Sequence, residues 1–235
     1  VYETLRAGRR KAFVLRVQQG IQEKGRLAES LGLAREQGIP VEHVPRGQLD
    51  GLDRNHQGVA LQASAYPYAD IPDLFDAAAA DDRPPFFLML DTLQDVQNLA
   101  TLLRTAEIVG VHGLILPLAR TATITPAVVS ASSGASEHLL VAQYNLAQAI
   151  DLVVERDVWV IGLEGGPDTQ PAPDVRLDGA LALVVGNEGE GLRRLVRDKC
   201  DLLMRLPQRG VIDSLNAAVA GSIALYLAWA ARGYT

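Results

Sequence analysis

Short apolar runs alternate with helical stretches along the second half of the chain, and few folds accommodate that order. Each run is apolar throughout rather than at every second position, which is typical of strands in a parallel sheet covered by helices on both faces. The sequence therefore predicts an α/β fold with a mostly parallel sheet, whose ligands would bind beyond the carboxyl ends of the strands. Strands are predicted at 86–90, 113–116, 139–142, 158–163 and 181–185.

The first 66 residues predict a smaller α/β domain, with strands at 12–17, 41–44 and 59–65 and a helix at 26–37. The next stretch holds four prolines and five aspartates around a run of alanines, which is typical of a linker that includes a short helix. We therefore divide the chain into a domain at 1–66, a linker at 67–85 and a second domain at 86–235.

Composition excludes several classes of protein. Hydrophobic residues make up 48% and charged residues 21% of the 235 residues, which excludes a disordered chain. No window reaches the roughly 18 uninterrupted apolar residues of a membrane helix, and no signal peptide is visible, so we expect a cytoplasmic protein. The lone Cys200 is interpreted as a small buried hydrophobe, and four scattered histidines give no ligand pattern, so no metal is expected.

Charge is distributed unevenly along the chain. Residues 1–66 carry a net charge of +3, whereas the remaining residues carry −9, within an overall charge of −6. The overall acidity argues against general affinity for nucleic acid, but phosphate contact needs only a local patch of Lys and Arg. Cations cluster at 6–16 and again at 193–209, and either cluster could equally be a solvated face.

The first motif, at 90–107, is a strand that runs into a helix. Asn98 and Arg104 lie six residues apart, which places them about 240° apart on an ideal helix. They can share a face only if Asn98 lies at or before the N-cap, so we expect Asn98 in the turn between strand and helix. An ordinary Asn cap followed by a surface Arg is the alternative interpretation.

The second motif, at 184–191, is a buried strand that ends in a glycine-rich turn. It lacks the Lys-Ser/Thr ending of a phosphate loop, and its glycines do not fit the dinucleotide pattern. Glu188 and Glu190 would lie where a pyrophosphate needs bare backbone N–H groups. A ligand that carries a sulfonium therefore fits this turn better than one that carries phosphates.

The third motif, at 206–226, places Ser214 and Asn216 at the start of a helix rich in small apolar residues. An N-cap role explains one of these two polar residues. A buried amide at Asn216 should be hydrogen-bonded to a partner or a ligand.

Together, the three motifs resemble the SpoU family of RNA ribose 2′-O-methyltransferases, within the SPOUT superfamily, over residues 86–233. The shared pattern is an Asn six residues before an Arg, then Gly-x-Glu-x-x-Gly, then a Pro followed by Ser-Leu-Asn. Residues 1–66 more loosely resemble the ribosomal-protein-like RNA-binding domain that precedes the catalytic domain in RlmB-type 23S rRNA enzymes. The chain departs from the family's Asp-Pro-His-Asn-x-Gly at 95–100 and has Gln208 where a Met is common.

The resemblance implies a second domain with a deep trefoil knot, a fold that is rare among proteins. It implies S-adenosylmethionine (AdoMet) as cofactor, RNA as substrate, no metal, and a homodimer formed through the C-terminal helix. Cofactor contacts are implied near Leu163, Gly186, Leu206 and Leu215. The implied catalytic residues are Asn98, Arg104, Glu188, Ser214 and Asn216.

The leading hypothesis from the sequence is an AdoMet-dependent 2′-O-methyltransferase of 23S rRNA, most specifically of a guanosine. A tRNA methyltransferase of the same family is the first alternative, although tRNA enzymes often lack the extra N-terminal domain. A noncatalytic RNA-binding or ribosome-assembly factor is the second. A nucleotide-dependent oxidoreductase is disfavoured because the glycine-rich turn is acidic.

Overall fold

The computed structural model describes residues 1–187, 189–212 and 214–234. The chain forms two compact units, Val1–Pro67 and a second unit that begins at Tyr68. Within the described residues, no helix is both long enough and apolar enough to cross a membrane. The same residues contain no group of three or more His, Cys, Asp or Glu side chains suited to a metal ion.

The first unit is a three-stranded sheet with helices packed against it. Strand β1 lies in the centre, parallel to β2 and antiparallel to β3. The core forms where Leu15 and Val17 of β1 meet Leu5 of α1 and Leu31 of α2. The elements are α1 (Tyr2–Ala7), β1 (Ala12–Gln18), α2 (Arg26–Glu36), β2 (Val41–Val44), α3 (Arg46–Asp50) and β3 (Val59–Ala63).

The second unit contains a seven-stranded sheet in the order β6-β5-β4-β9-β7-β10-β8, and its neighbouring strands are parallel. Every residue of β4 and β9 is buried, as expected for central strands with both faces covered. The elements are α4 (Ile71–Ala80), β4 (Phe86–Leu90), α5 (Val96–Ile108), β5 (Gly113–Leu116), α6 (Pro126–Ala131), β6 (Val141–Gln143), α7 (Leu146–Val154), β7 (Trp159–Leu163), β8 (Gln170–Pro171), β9 (Leu181–Val185), α8 (Arg194–Arg197), β10 (Leu202–Arg205) and α9 (Ala217–Ala231).

The predicted fold class is confirmed: the chain is α/β, with a mostly parallel sheet preceded by a small α/β unit. Three of the sheet's strands, β4, β5 and β9, have the predicted bounds, whereas β6 begins two residues later than expected. Strands β8 and β10 were not expected; both are short, and β10 ends in Arg205. The trefoil knot stays a prediction.

The segment predicted as a linker contains α4, and this helix belongs to the second unit. Asp70 and Asp73 form a capping box at its start, with Asp73 accepting a 2.8 Å hydrogen bond from the backbone N–H of Asp70. Ile71, Leu74 and Ala78 are buried in the core of the second unit. Burial of side chains of this kind stabilises a fold by about 1.5–3 kcal/mol for each large residue. The segment therefore forms part of the core.

Cys200 is partly buried, where the sequence predicts a buried hydrophobe. It packs against the core of the second unit, and burial raises the pKa of its thiol to about 12. A thiol with so high a pKa is protonated at neutral pH and is not a nucleophile.

Candidate active site

A cleft of about 400 Å³ opens where the chain leaves the carboxyl ends of β7, β9 and β10. The segment before α9 closes its remaining side. All four residues that the resemblance implied as cofactor contacts line this cleft: Leu163, Gly186, Leu206 and Leu215. Ser214, one of the implied catalytic residues, lines it as well. The cleft lies at the sheet edge where ligands of parallel sheets bind.

The glycine-rich turn forms one wall of the cleft by close backbone packing. A Cβ atom on Gly186 would lie 2.4 Å from the carbonyl carbon and oxygen of Gly191, so only glycine fits there. Gly191 has a φ of +66°, in the left-handed region that favours glycine. Asn187 and Gly191 exchange backbone hydrogen bonds of 3.1 and 3.0 Å. Glu188, implied as a catalytic residue, lies outside the described residues.

An ion pair between buried Asp91 and partly exposed Arg193 anchors the far end of this turn. Asp91, which follows β4 and is fully buried, accepts hydrogen bonds from the backbone N–H of Arg193 at 2.8 Å and from its Nε at 2.6 Å. Because Asp91 is buried, removal of Arg193 would leave its carboxylate without this charged partner. The pair fixes the chain that follows the turn to the end of the central strand β4.

Charged side chains also line the cleft: Arg205 belongs to the cation cluster at 193–209, whereas Glu164 was not predicted from the sequence. Glu164 directly follows β7, and its Oε2 accepts a 2.9 Å hydrogen bond from Nε of Arg197. Arg205, at the end of β10, donates to the carbonyl oxygen of Thr169 and, over 3.2 Å, to its hydroxyl. The position of Glu164 after a predicted strand was the signal that could have identified it.

Asn98 and Asn216 are brought together although they are 118 residues apart. Nδ2 of Asn216 donates a 3.1 Å hydrogen bond to Oδ1 of Asn98. Oδ1 of Asn216 accepts from the backbone N–H groups of Ala218 and Val219, at 3.0 and 3.1 Å, and so caps α9. Asn216 is thus both the N-cap and the partner of a second motif.

The prediction that Asn98 lies in the turn before the helix is wrong. Helix α5 begins at Val96, and the side chain of Asp95 caps it by accepting a 2.7 Å hydrogen bond from the backbone N–H of Asn98. Asn98 therefore stands in the first helical turn, about 240° around the helix from Arg104. The geometric requirement for the two side chains to share a face is not met.

Arg104 is exposed on α5, and its guanidinium lies 3.4 Å from Oγ of Ser133. Ser133 has a φ of +56°, an uncommon conformation for a serine, in the turn after α6. The structure thus joins Asn98 to Asn216, places Ser214 in the cleft wall and directs Arg104 toward Ser133. Ser133 was not among the predicted site residues.

Comparison with known proteins shows the family of the chain. Residues 85–226 match the SpoU rRNA Methylase family, and residues 1–69 match the family of RNA 2′-O ribose methyltransferase substrate-binding domains. A Bacillus subtilis (strain 168) protein, "Putative TrmH family tRNA/rRNA methyltransferase YacO", is 42% identical over 231 residues, which span 96% of this chain and 90% of that protein. The chain belongs to the SpoU rRNA methylase family. The resemblance carried by the three motifs is thereby confirmed at the level of the family.

Two solved structures show the same fold. The SpoU methyltransferase AviRb from Streptomyces viridochromogenes, crystallised with AdoMet, matches with a TM-score of 0.81 at 22% identity. The match covers 99% of this chain and 87% of the AviRb chain. The TrmH/SpoU tRNA modifying enzyme from A. aeolicus matches with a TM-score of 0.59 at 21% identity. The match covers 65% of this chain and 77% of the A. aeolicus chain. The SpoU fold of the chain is therefore shared with both, over different lengths.

Proposed function

We propose that this SpoU protein transfers a methyl group from AdoMet to a ribose 2′-hydroxyl of RNA, most specifically of a guanosine in 23S rRNA, as an RlmB-type enzyme. One observation carries the proposal: the cleft at the carboxyl ends of β7, β9 and β10 is lined by all four residues that the family resemblance implied as cofactor contacts. Membership of the SpoU family and the AdoMet complex of AviRb support the same cofactor.

The cleft residues fit AdoMet in shape and charge. Leu163, Leu206 and Leu215 provide apolar walls for an adenine ring, and Gly186 leaves the backbone uncovered. Glu164 at the mouth suits a cationic or zwitterionic ligand better than a phosphate. AdoMet, when bound, supplies an electrophilic methyl group on a sulfonium. The chain's own residues then need to orient the ribose and stabilise charge on its oxygen.

Arg104 is our candidate for charge stabilisation. A 2′-hydroxyl is only weakly acidic. A cation beside it therefore lowers the barrier to methyl transfer, because it stabilises the developing alkoxide. An arginine keeps its proton in ordinary protein settings, so we favour this role and phosphate binding over general-base action. Its contact with Ser133 would hold the guanidinium in place. We assign orientation of the ribose to Asn98, Glu188, Ser214 and Asn216, as the family resemblance implies.

The two-unit organisation favours ribosomal RNA over tRNA. The first unit matches a substrate-binding family of 2′-O ribose methyltransferases. The match to the A. aeolicus tRNA enzyme covers 65% of this chain, a share that the second unit alone is long enough to provide, whereas the match to the rRNA methyltransferase from Sinorhizobium meliloti covers 97%. A tRNA substrate remains the alternative within the family, and a noncatalytic assembly factor is the alternative outside it.

We also propose that the protein is a homodimer through α9. Val219, Ile223, Tyr226 and Leu227 are exposed, and their spacing of four, three and one residues places them on one face of the helix. An exposed apolar face of this kind marks an interaction surface. A second copy, which presents the same face, could bury it by symmetry.

The experiment is methyl transfer from labelled AdoMet by the full chain to 23S rRNA and, separately, to total tRNA, followed by mapping of 2′-O-methyl positions. We expect label in 23S rRNA, at a guanosine ribose that is unmethylated in a strain lacking the protein. Arg104→Ala serves as the inactive control. Label in tRNA alone would select the alternative substrate, and AdoMet binding without transfer to either RNA would contradict an enzymatic role.

A further inference from the structure

Phe13 in the first unit breaks the alternation of its strand. In β1, every second residue should face the same side of the sheet, and Leu15 and Val17 both face the core. Phe13 has the same parity, yet it is 44% exposed, and Ala12 packs against the core instead. The other three phenylalanines of the chain are not exposed.

A β-bulge causes this exposure. Ala12 pairs with Ala63 and Val14 with Gln62, so Phe13 is an extra residue in β1 without a counterpart in β3. The extra residue reverses which side chains at the start of β1 face the core and which face solvent, because a shift of one residue moves each side chain to the other face of the sheet. A regular strand would have buried the largest apolar side chain of this segment. The bulge presents it to solvent instead.

A cation lies beside the exposed ring. Nζ of Lys11 lies 5.7 Å from the centroid of the Phe13 ring, within cation–π range. The backbone of Lys11 is fixed by two hydrogen bonds to Ser64: its N–H donates to Oγ at 3.2 Å, and its carbonyl accepts from the backbone N–H at 2.8 Å. Nε of Arg10 donates to the carbonyl oxygen of the same serine at 2.8 Å. An apolar ring and two cations thus lie along one short segment.

From this geometry we infer that Phe13 is a stacking platform for an unpaired base of the RNA substrate, with Lys11 at the adjoining phosphate. An aromatic ring stacks on the face of any base, and such contacts are made to single-stranded RNA because paired bases are already stacked in the helix. The net charge of +3 on residues 1–66 suits the same ligand. The inference rests on the proposed function only in taking RNA as the substrate.

The test measures binding of the full chain to a short labelled oligoadenylate and to a blunt RNA duplex of the same strand length. Phe13→Ala should weaken oligoadenylate binding roughly 5- to 100-fold, as expected for loss of one stacked base, and change duplex binding by less than about twofold. Phe13→Trp should restore affinity, and oligoadenylate should quench the added fluorescence. Lys11→Gln should reduce the salt dependence of binding by about one phosphate contact.

The matched control is Leu52→Ala, which shortens another exposed apolar side chain of the first unit and should leave binding unchanged. Unchanged oligoadenylate affinity in Phe13→Ala, or equal losses on single-stranded and duplex RNA, would overturn the inference. Unchanged oligoadenylate affinity would indicate that the Phe13 ring binds a protein partner instead of RNA. AdoMet binding and methyl transfer, measured in parallel, separate this outcome from failure of the proposed function, because neither the cleft nor Arg104 is altered.

Discussion

Asn216 donates a 3.1 Å hydrogen bond from Nδ2 to Oδ1 of Asn98, while its own Oδ1 caps α9. The side chain of Asn216 thus caps the start of α9 and ties this helix to the first turn of α5. From the sequence alone, an N-cap role accounts for only one of the two polar residues Ser214 and Asn216. The structure shows that the amide oxygen caps α9 while the amide nitrogen bonds Asn98.

This dual role predicts that Asn216→Ala and Asn216→Ser differ. Alanine removes the cap and should lower the free energy of unfolding by about 1 kcal/mol, whereas serine, a good N-cap, should retain most of it. Serine is too short to reach Asn98, so both variants should lose turnover at saturating AdoMet. Thermal melting and single-turnover methylation on the same preparations give the two measurements. Full activity in Asn216→Ser would limit Asn216 to capping.

The error about Asn98 shows what the sequence could and could not provide. Most strands of the sheet follow from local composition and were predicted, whereas β8, β10 and several short helices were not. The start of α5 depended on whether Asp95 or Asn98 forms the cap, and both residue types are good caps. The contacts of Asn98 with Asn216 and of Arg104 with Ser133 span 118 and 29 residues, and no local pattern encodes such distances.

Gly186→Ala should abolish AdoMet binding. The added methyl would lie 2.4 Å from the backbone carbonyl of Gly191, which cannot yield as a flexible side chain could, so the turn must open. Gly189→Ala is the matched control from the same turn, because the nearest atom to its added methyl is Oδ1 of Asn187 at 3.9 Å. Calorimetry with AdoMet compares the two. Wild-type affinity in Gly186→Ala would place the cofactor elsewhere.

Arg104→Ala should reduce the rate of methyl transfer about 100-fold or more, the usual loss when one donor to a developing oxyanion is removed. Because Arg104 is exposed, the melting temperature and the affinity for AdoMet should change little. Arg194→Ala, which removes another exposed arginine of the second unit, is the control and should retain activity. Near-normal turnover in Arg104→Ala would remove it from the catalytic residues.

The first unit should supply RNA affinity and the second unit AdoMet affinity. A fragment that begins at Tyr68 retains α4, whereas one that begins at Pro85 lacks Ile71, Leu74 and Ala78 of the core and should be several kcal/mol less stable. The longer fragment should bind AdoMet but bind RNA weakly, with a shallower dependence on salt because fewer phosphates are neutralised. RNA affinity equal to that of the full chain would contradict this division.

The stability of the protein should fall as the pH drops below neutrality, because of His112. Its Nδ1 accepts a 3.0 Å hydrogen bond from the backbone N–H of Phe86, and its Nε2 lies 3.1 Å from Oδ2 of Asp81. Burial lowers the pKa of His112 below its usual value of 6.5, even though Asp81 favours the charged form. The unfolded chain therefore takes up the proton first, and stability is lost as the pH falls through about 6.5 toward the folded-state pKa.

Asp81 titrates in a separate range. The hydrogen bond from Arg83 lowers the pKa of Asp81 below 3.8. The stabilisation that Asp81 contributes is therefore fully present above pH 3.8 and is lost only as the pH falls below it. Denaturant unfolding at about pH 7.5 and about pH 5.5 therefore separates the effect of His112 on stability from that of Asp81. His112→Asn, whose Oδ1 can still accept from the N–H of Phe86, should flatten the pH dependence across this interval at a lower overall stability. An unchanged slope in that variant would assign the effect to another group.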